Sequence, residues 1–178
     1  MEYIGNSEVF EDVKIFKGLK HIDNRGIFIK PFYGNILEDQ ISIKEILTVT
    51  SKKNVVRGLH FQYPPKDVKK LITCIDGKVK DVFVDLRKDS LTYGYFDSIC
   101  LDAEINYSVL IPEGFAHGYS VLSETATVLY LQSGHYDEKY DNGINLESLD
   151  INWGVENKII SEKDKELQSF KNFNSPWQ

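Results

Sequence analysis

Short β-rich runs, each closed within a few residues by glycine, proline, aspartate or asparagine, leave this chain little room for anything but strands. The clearest case lies between Lys70 and Leu86, where LITCI and KVKDVFVDL flank Asp76-Gly77. Asp-Gly between two such runs predicts a two-residue hairpin, because both central residues tolerate positive φ. The same reading gives strands over Gly26–Phe32, Ile41–Val49, Tyr95–Leu101, Tyr107–Ile111, Tyr119–Leu122 and Thr127–Gln132. Many short strands with frequent turns predict an all-β sandwich or barrel. Helix is expected only near the end. Ser161-Glu-Lys-Asp164 has the form of a capping box opening about two turns that run to Gln168. Residues 1–12 read as a loose arm or an exchanged strand, and residues 169–178 as an irregular tail.

At 178 residues, 42% of them hydrophobic, the chain suits a single domain, 1–178, with a real core. A net charge of −6 argues against a general nucleic-acid binder, which needs a basic face. No apolar run approaches the ~18 residues of a membrane span, and no basic and apolar leader opens the chain. Cys74 and Cys100 are too few for a disulfide framework. A soluble cytoplasmic protein with reduced thiols is the expectation.

Two segments concentrate the chemistry. One is Arg57-Gly-Leu-His60-Phe-Gln62-Tyr-Pro-Pro65, followed by Lys69-Lys70; the other is Ile111-Pro-Glu-Gly-Phe-Ala-His117-Gly. Together they resemble the paired signature segments of cupin barrels. Metal-binding cupins carry a second histidine where this chain has Gln62, and the next acidic residue is Asp67. His60 and His117 alone make a poor set for a divalent metal, which wants three or four ligands, so no metal is expected.

These segments, with Asp23-Asn-Arg25-Gly26 before them, DVFVDLRKDSLTYG and IPEGFAHGYSVLSETATVLY, and Ser161–Asp164 after them, resemble the dTDP-4-dehydrorhamnose 3,5-epimerase family. The resemblance implies a cupin-type double-stranded β-helix, or jelly-roll, barrel acting as a homodimer. It implies an epimerase of deoxysugar biosynthesis acting on a nucleotide-diphospho-4-keto-6-deoxy sugar such as dTDP-4-keto-6-deoxyglucose. Carbons C3 and C5 beside the ketone would be inverted without metal or nicotinamide. A C–H beside a carbonyl is acidic because its carbanion delocalises as an enolate. Inversion then needs a base on one face, a cation at the ketone oxygen and an acid on the other face.

By the same resemblance, His60 is the base and Asp164 orients it. The capping box would by itself account for Asp164, and a carboxylate can point only one way. Lys70 would stabilise the enolate oxygen, with Lys69 on the opposite face of its strand. Tyr130 would be the far-side acid and Tyr136 a neighbour of the sugar. Arg25 and Arg57 suit a diphosphate, since arginine offers paired donors. Phe28 would pack on the base, and Gln62 and His117 would belong to the substrate pocket, His117 as a wall or support.

The chain departs from the family pattern at its recognition positions. Lys30 stands where a glutamate is usual, and Glu45-Ile-Leu47-Thr-Val49 replaces a Gln-x-Asn-x-Ser pattern. These changes raise the expectation that one carbon is inverted rather than two. Two other readings stay open: a barrel that binds a sugar nucleotide without turning it over, and a metal-dependent cupin isomerase or dioxygenase.

Overall fold

A computed structural model describes residues 1–34 and 39–178. These form β1 (Glu2–Asn6), β2 (Lys14–Lys17), β3 (Leu19–Asp23), β4 (Gly26–Lys30), β5 (Glu45–Lys52), β6 (Val56–Gln62) and β7 (Lys70–Asp76). There follow β8 (Lys78–Asp85), β9 (Phe96–Asp102), β10 (Tyr107–Ile111), β11 (Phe115–Val121), β12 (Thr125–Gln132), β13 (Asp141–Gly143) and the one-turn helix α1 (Glu162–Lys165). One antiparallel sheet runs β1-β2-β10-β7-β12-β5 and a second runs β13-β6-β11-β8-β9, with β3 and β4 forming a separate hairpin. The two large sheets face each other as a cupin-type jelly roll, as the sequence leads one to expect.

Strand alternation sorts side chains between the layers. On β8, Val79 and Phe83 turn into the barrel to meet Ile72, Val109, Tyr119 and Val128. Val82 and Val84 turn outward beneath a second apolar cluster that includes Ile144, Trp153, Phe173 and Trp177. Burial of a large apolar side chain contributes roughly 1.5–3 kcal/mol. Trp153 and Trp177, which flank α1 in sequence, therefore anchor the two ends of the segment that carries it to this cluster. The tail after residue 169 is packed, although its regular structure is limited to a 3-10 turn at Phe170–Asn172.

Two expectations, the hairpin at Asp76-Gly77 and the length of the helix, need correction. Asp76-Gly77 does not close a hairpin: β7 pairs with β10 and β12, whereas β8 pairs with β9 and β11 in the other sheet. The dipeptide is a corner between layers. Gly77 has φ +74°, and a Cβ there would lie 2.1 Å from the Thr125 carbonyl oxygen, so a side chain has neither the conformation nor the space. The helix stops at Lys165, short of Gln168, because Gln168 bridges to Ile144 and its carbonyl accepts from Asn145 N–H at 2.8 Å. Residues 2–6 pair with β2 of the same chain. β5 also begins later than expected, at Glu45, and β11 earlier, at Phe115.

Candidate active site

Alternation turns His60 of β6 and His117 of β11 inward from one sheet, and Lys70 of β7 and Tyr130 of β12 inward from the other. All four line a single cavity of about 370 Å³. His60 and His117 are register partners on adjacent strands. The strands approach closely because Gly58 faces Gly118. Gly58 has φ +123°, and a Cβ on it would lie 2.6 Å from the Gly118 Cα, so only glycine fits.

His60 Nε2 lies 3.1 Å from Asp164 Oδ1. The other carboxylate oxygen accepts from the Gly58 N–H at 3.3 Å. Asp164 also donates its own backbone N–H to Ser161 Oγ at 3.1 Å, which caps α1. The two candidate duties of Asp164 thus fall on different atoms: the backbone serves the helix and the side chain serves the histidine. Burial works to raise the Asp164 pKa. The hydrogen bond and charge of His60, aided by Gly58 and Ser161, prevail and hold it below the usual carboxylate value.

Lys70 crosses the cavity to place Nζ 3.3 Å from the His60 carbonyl oxygen. Burial lowers its pKa to about 8 against the opposing pull of Asp141 and Asp81. Lys69 points the other way, with Nζ 3.9 Å from Glu113. Tyr130 is buried with its ring edge-on to His117, centroids 5.7 Å apart. Burial first, then the nearby Tyr119 and Asp81, push its pKa well above the ordinary tyrosine value, with Arg57 opposing. His117 Nε2 lies 2.8 Å from Asp81 Oδ2, and both residues are buried.

The mouth of the cavity is polar. Lys163 Nζ lies 2.7 Å from Asp141 Oδ2, to which Tyr136 donates its hydroxyl at 3.3 Å. Arg57 lines the cavity and donates from Nε to Ser51 Oγ at 3.0 Å. Sequence reasoning missed Asp81, Asp141, Ser161 as a lining residue, and Lys163. For Asp81 a signal existed: it shares the inward face of β8 with Val79 and Phe83, where a carboxylate is out of place unless it serves something.

Other expected site residues do not come to this cavity. Arg25 and Phe28 sit on the β3–β4 hairpin around a separate surface groove; the Arg25 side chain is 85% exposed and paired with Asp23 at 2.6 Å. Gln62 is buried and spends its amide on backbone. Its Nε2 donates to Lys66 O at 2.7 Å and His135 O at 3.2 Å, while Oε1 accepts from Asp137 N–H at 2.6 Å. It pins the loop leading to Tyr136 and does not line the cavity. Of the altered positions, Lys30 lies over the Phe28 ring at 5.9 Å. Glu45 accepts from the Tyr136 N–H at 3.1 Å. Leu47 and Val49 pack against the barrel core.

Each cavity histidine has one carboxylate partner. Among the described residues no group of three or more His, Cys, Asp or Glu side chains could hold a metal ion.

Residues 8–172 match the family model described as dTDP-4-dehydrorhamnose 3,5-epimerase. The dTDP-4-dehydrorhamnose 3,5-epimerase of Shigella flexneri is 38% identical over 165 residues, covering 89% of this chain and 91% of its own. The dTDP-4-dehydrorhamnose 3-epimerase of Streptomyces niveus is 33% identical, covering 81% and 72%. Among solved structures, the dTDP-6-deoxy-D-glucose-3,5-epimerase of Legionella pneumophila, in complex with dTDP-4-keto-L-rhamnose, superposes with a TM-score of 0.90. It is 28% identical, and the match covers 98% of this chain and 97% of that one.

Proposed function

This chain belongs to the dTDP-4-dehydrorhamnose 3,5-epimerase family, and we propose that it inverts C3, C5 or both beside the ketone of dTDP-4-keto-6-deoxyglucose. The observation that carries this reading is the disposition of acid and base. His60, backed by Asp164 of α1, enters the cavity from one sheet; the buried Tyr130 and Lys70 enter it from the other, Lys70 reaching to the His60 carbonyl oxygen. His60 removes the C–H proton while Asp164 stabilises the imidazolium that forms. Lys70 neutralises the enolate oxygen, and Tyr130 delivers a proton to the opposite face. A barrel that merely bound the sugar would need no such opposition.

A cavity of about 370 Å³ accommodates a sugar ring and leaves the diphosphate and base at the mouth. There Arg57 and Lys163 supply positive charge and Tyr136 an exposed ring. The enzyme is proposed to act as a homodimer. The β3–β4 hairpin exposes Ile22, Ile27 and Phe28 at 64%, 61% and 54%, an apolar surface that a second copy would cover. Arg25 and Phe28 then serve the nucleotide in the partner's cavity. Light scattering should report a dimer, and Ile27→Asp should convert it to monomer; a wild-type monomer would contradict this. A cytoplasmic location is also proposed, in keeping with the free thiols of Cys74 and Cys100 and the lack, among the described residues, of a helix able to cross a membrane.

Product stereochemistry tests the reaction itself. NMR of the product should show inversion at one or both carbons, and recovery of unchanged sugar would contradict the proposal. Of the altered positions, Glu45 reaches the site by holding the Tyr136 N–H, and its change favours inversion at a single carbon, because the second inversion requires the ring to reorient beside Tyr136. Inversion at both would overturn this part.

Two further outcomes follow from the geometry. Asp164→Asn keeps the backbone cap on Ser161 but loses the charge on His60. Turnover should fall by roughly 10²-fold or more, while loss of one charged hydrogen-bond partner costs about 1–3 kcal/mol, a Tm drop of a few degrees. Unchanged turnover would remove Asp164 from the mechanism. Lys70 must be charged to serve the enolate, and its lowered pKa means it discharges as pH rises through about 8. Above that pH, kcat/KM should decline by about tenfold per unit. Lys70→Arg, which stays charged, should abolish that limb even as the altered shape slows the reaction. An identical limb in the arginine variant would assign it to another group.

A further inference from the structure

We infer that Asp81 is a positioning residue that donates a proton to His117 Nε2, so that His117 presents an Nδ1–H to the cavity as a second donor beside Lys70. The inference rests on the epimerase reading of the cavity and deepens it.

The starting observation is an imbalance. Asp81 is fully buried, with Oδ2 2.8 Å from His117 Nε2. Its other oxygen, Oδ1, has no hydrogen-bond partner among the described residues. Three proton arrangements fit the 2.8 Å contact. In the first, a carboxylate accepts from Nε2–H. A full buried charge then has one oxygen unsatisfied, and Nδ1 shows the cavity a bare lone pair that would repel an enolate. In the second, imidazolium faces carboxylate, which buries two charges and sets the imidazolium beside His60 and Lys70. In the third, a carboxylic acid donates to Nε2. Neither partner is charged, the orphan Oδ1 is only a neutral carbonyl, and the remaining ring proton sits on Nδ1.

Burial favours the third arrangement from both sides. It pushes the Asp81 carboxyl up and the His117 imidazole down. Each partner's attraction for the other's charge opposes this. The Lys70 charge works against a neutral Asp81 but also disfavours an imidazolium at His117. Among the described residues no arginine and no backbone N–H donates a hydrogen bond to the Asp81 carboxyl, in contrast to Asp164, which receives the Gly58 N–H.

The placement gives the donor a use. Lys70 Nζ rests on the carbonyl oxygen of His60, and His60 is the register partner of His117. Ammonium and imidazole therefore flank the same floor of the cavity. A neutral N–H donor there adds to the stabilisation of the developing oxygen charge without placing a second cation beside Lys70.

The test is a pair of near-isosteric variants with a spectroscopic readout. In Asp81→Asn the amide N–H can donate to Nε2 as the acid does, whereas Asp81→Leu offers no donor. Asp81→Asn should keep kcat within about threefold of wild type, and Asp81→Leu should lose about 10²-fold in kcat with little change in KM. On the resting protein, 15N NMR of labelled histidine should find His117 protonated at Nδ1 alone in wild type and in Asp81→Asn. The proposal is overturned if the asparagine variant loses as much as the leucine variant, if the leucine variant is fully active, or if wild-type His117 is protonated at Nε2 alone or at both nitrogens. The NMR result stands whether or not the leucine variant folds. Failure of wild-type protein to epimerise any 4-keto sugar would count against the proposed function and leave the histidine measurement to judge Asp81.

Discussion

His60→Ala should lower proton exchange at the carbons beside the ketone by roughly 10²–10⁴-fold, the range a positioned general base supplies. The expectation comes from what surrounds the ring. His60 is partly open to the cavity, with 29% of its side chain exposed, so its ring can reach a substrate. Its Nε2 is tied to Asp164, and that carboxylate is itself fixed by Gly58 and by the capped turn of α1. The other cavity histidine, His117, is buried against Asp81 and cannot readily take over. Exchange in His60→Ala should therefore be lost at C3 and C5 alike, while binding of the nucleotide at the mouth persists. Exchange at the wild-type rate in a folded variant would remove His60 as the base.

Tyr130→Phe should separate two events that the wild type couples. His60 can still remove the proton and return it to the same face, so solvent deuterium should enter the recovered substrate. Delivery to the opposite face loses its donor, and inversion should fall by about 10²-fold or more. Burial keeps the Tyr130 phenol protonated well above neutral pH, which suits a group that must donate rather than abstract. The substitution deletes one hydroxyl and preserves the ring packed against His117, so stability should change little. Inversion and deuterium entry slowing in step would mean that Tyr130 takes part in forming the enolate. Inversion at the normal rate would place the acid elsewhere.

Much of the architecture was legible in the sequence because strand runs and their breakers are local. Tyr107–Ile111 matches β10 end to end, and β12 extends the expected strand by two residues. Pairing is not local, and Asp76-Gly77 shows why. A positive-φ glycine permits a sharp change of direction, yet whether the flanking strands then pair depends on what other edges each sheet offers. Short pieces such as Lys14–Lys17 and Asp141–Gly143 carry too few residues to show alternation at all.

The site divides along the same line. His60, Lys70, His117 and Tyr130, which meet in one cavity, were legible because they lie in contiguous segments that resemble the family's; alternation put Lys69 and Lys70 on opposite faces, and the resemblance chose Lys70 for the inward one. The Asp164 conflict dissolved only in three dimensions, where backbone and side chain take different partners. Gln62 occupies a ligand position in the motif, but a loop reaching back from His135 to Asp137 claims its amide. Arg25 and Phe28 are carried off by a hairpin whose direction no linear motif records.

His60 and Tyr130 are proposed to work on opposite faces of a carbon made acidic by the neighbouring ketone. Incubating the wild-type protein in D2O with dTDP-4-keto-6-deoxyglucose, and following the C3 and C5 protons by NMR, tests it most directly. Deuterium at C3, C5 or both, accompanied by inverted product, is the predicted result. Protons retained at both carbons, with the nucleotide sugar bound but unchanged, would contradict it and favour a barrel that only binds.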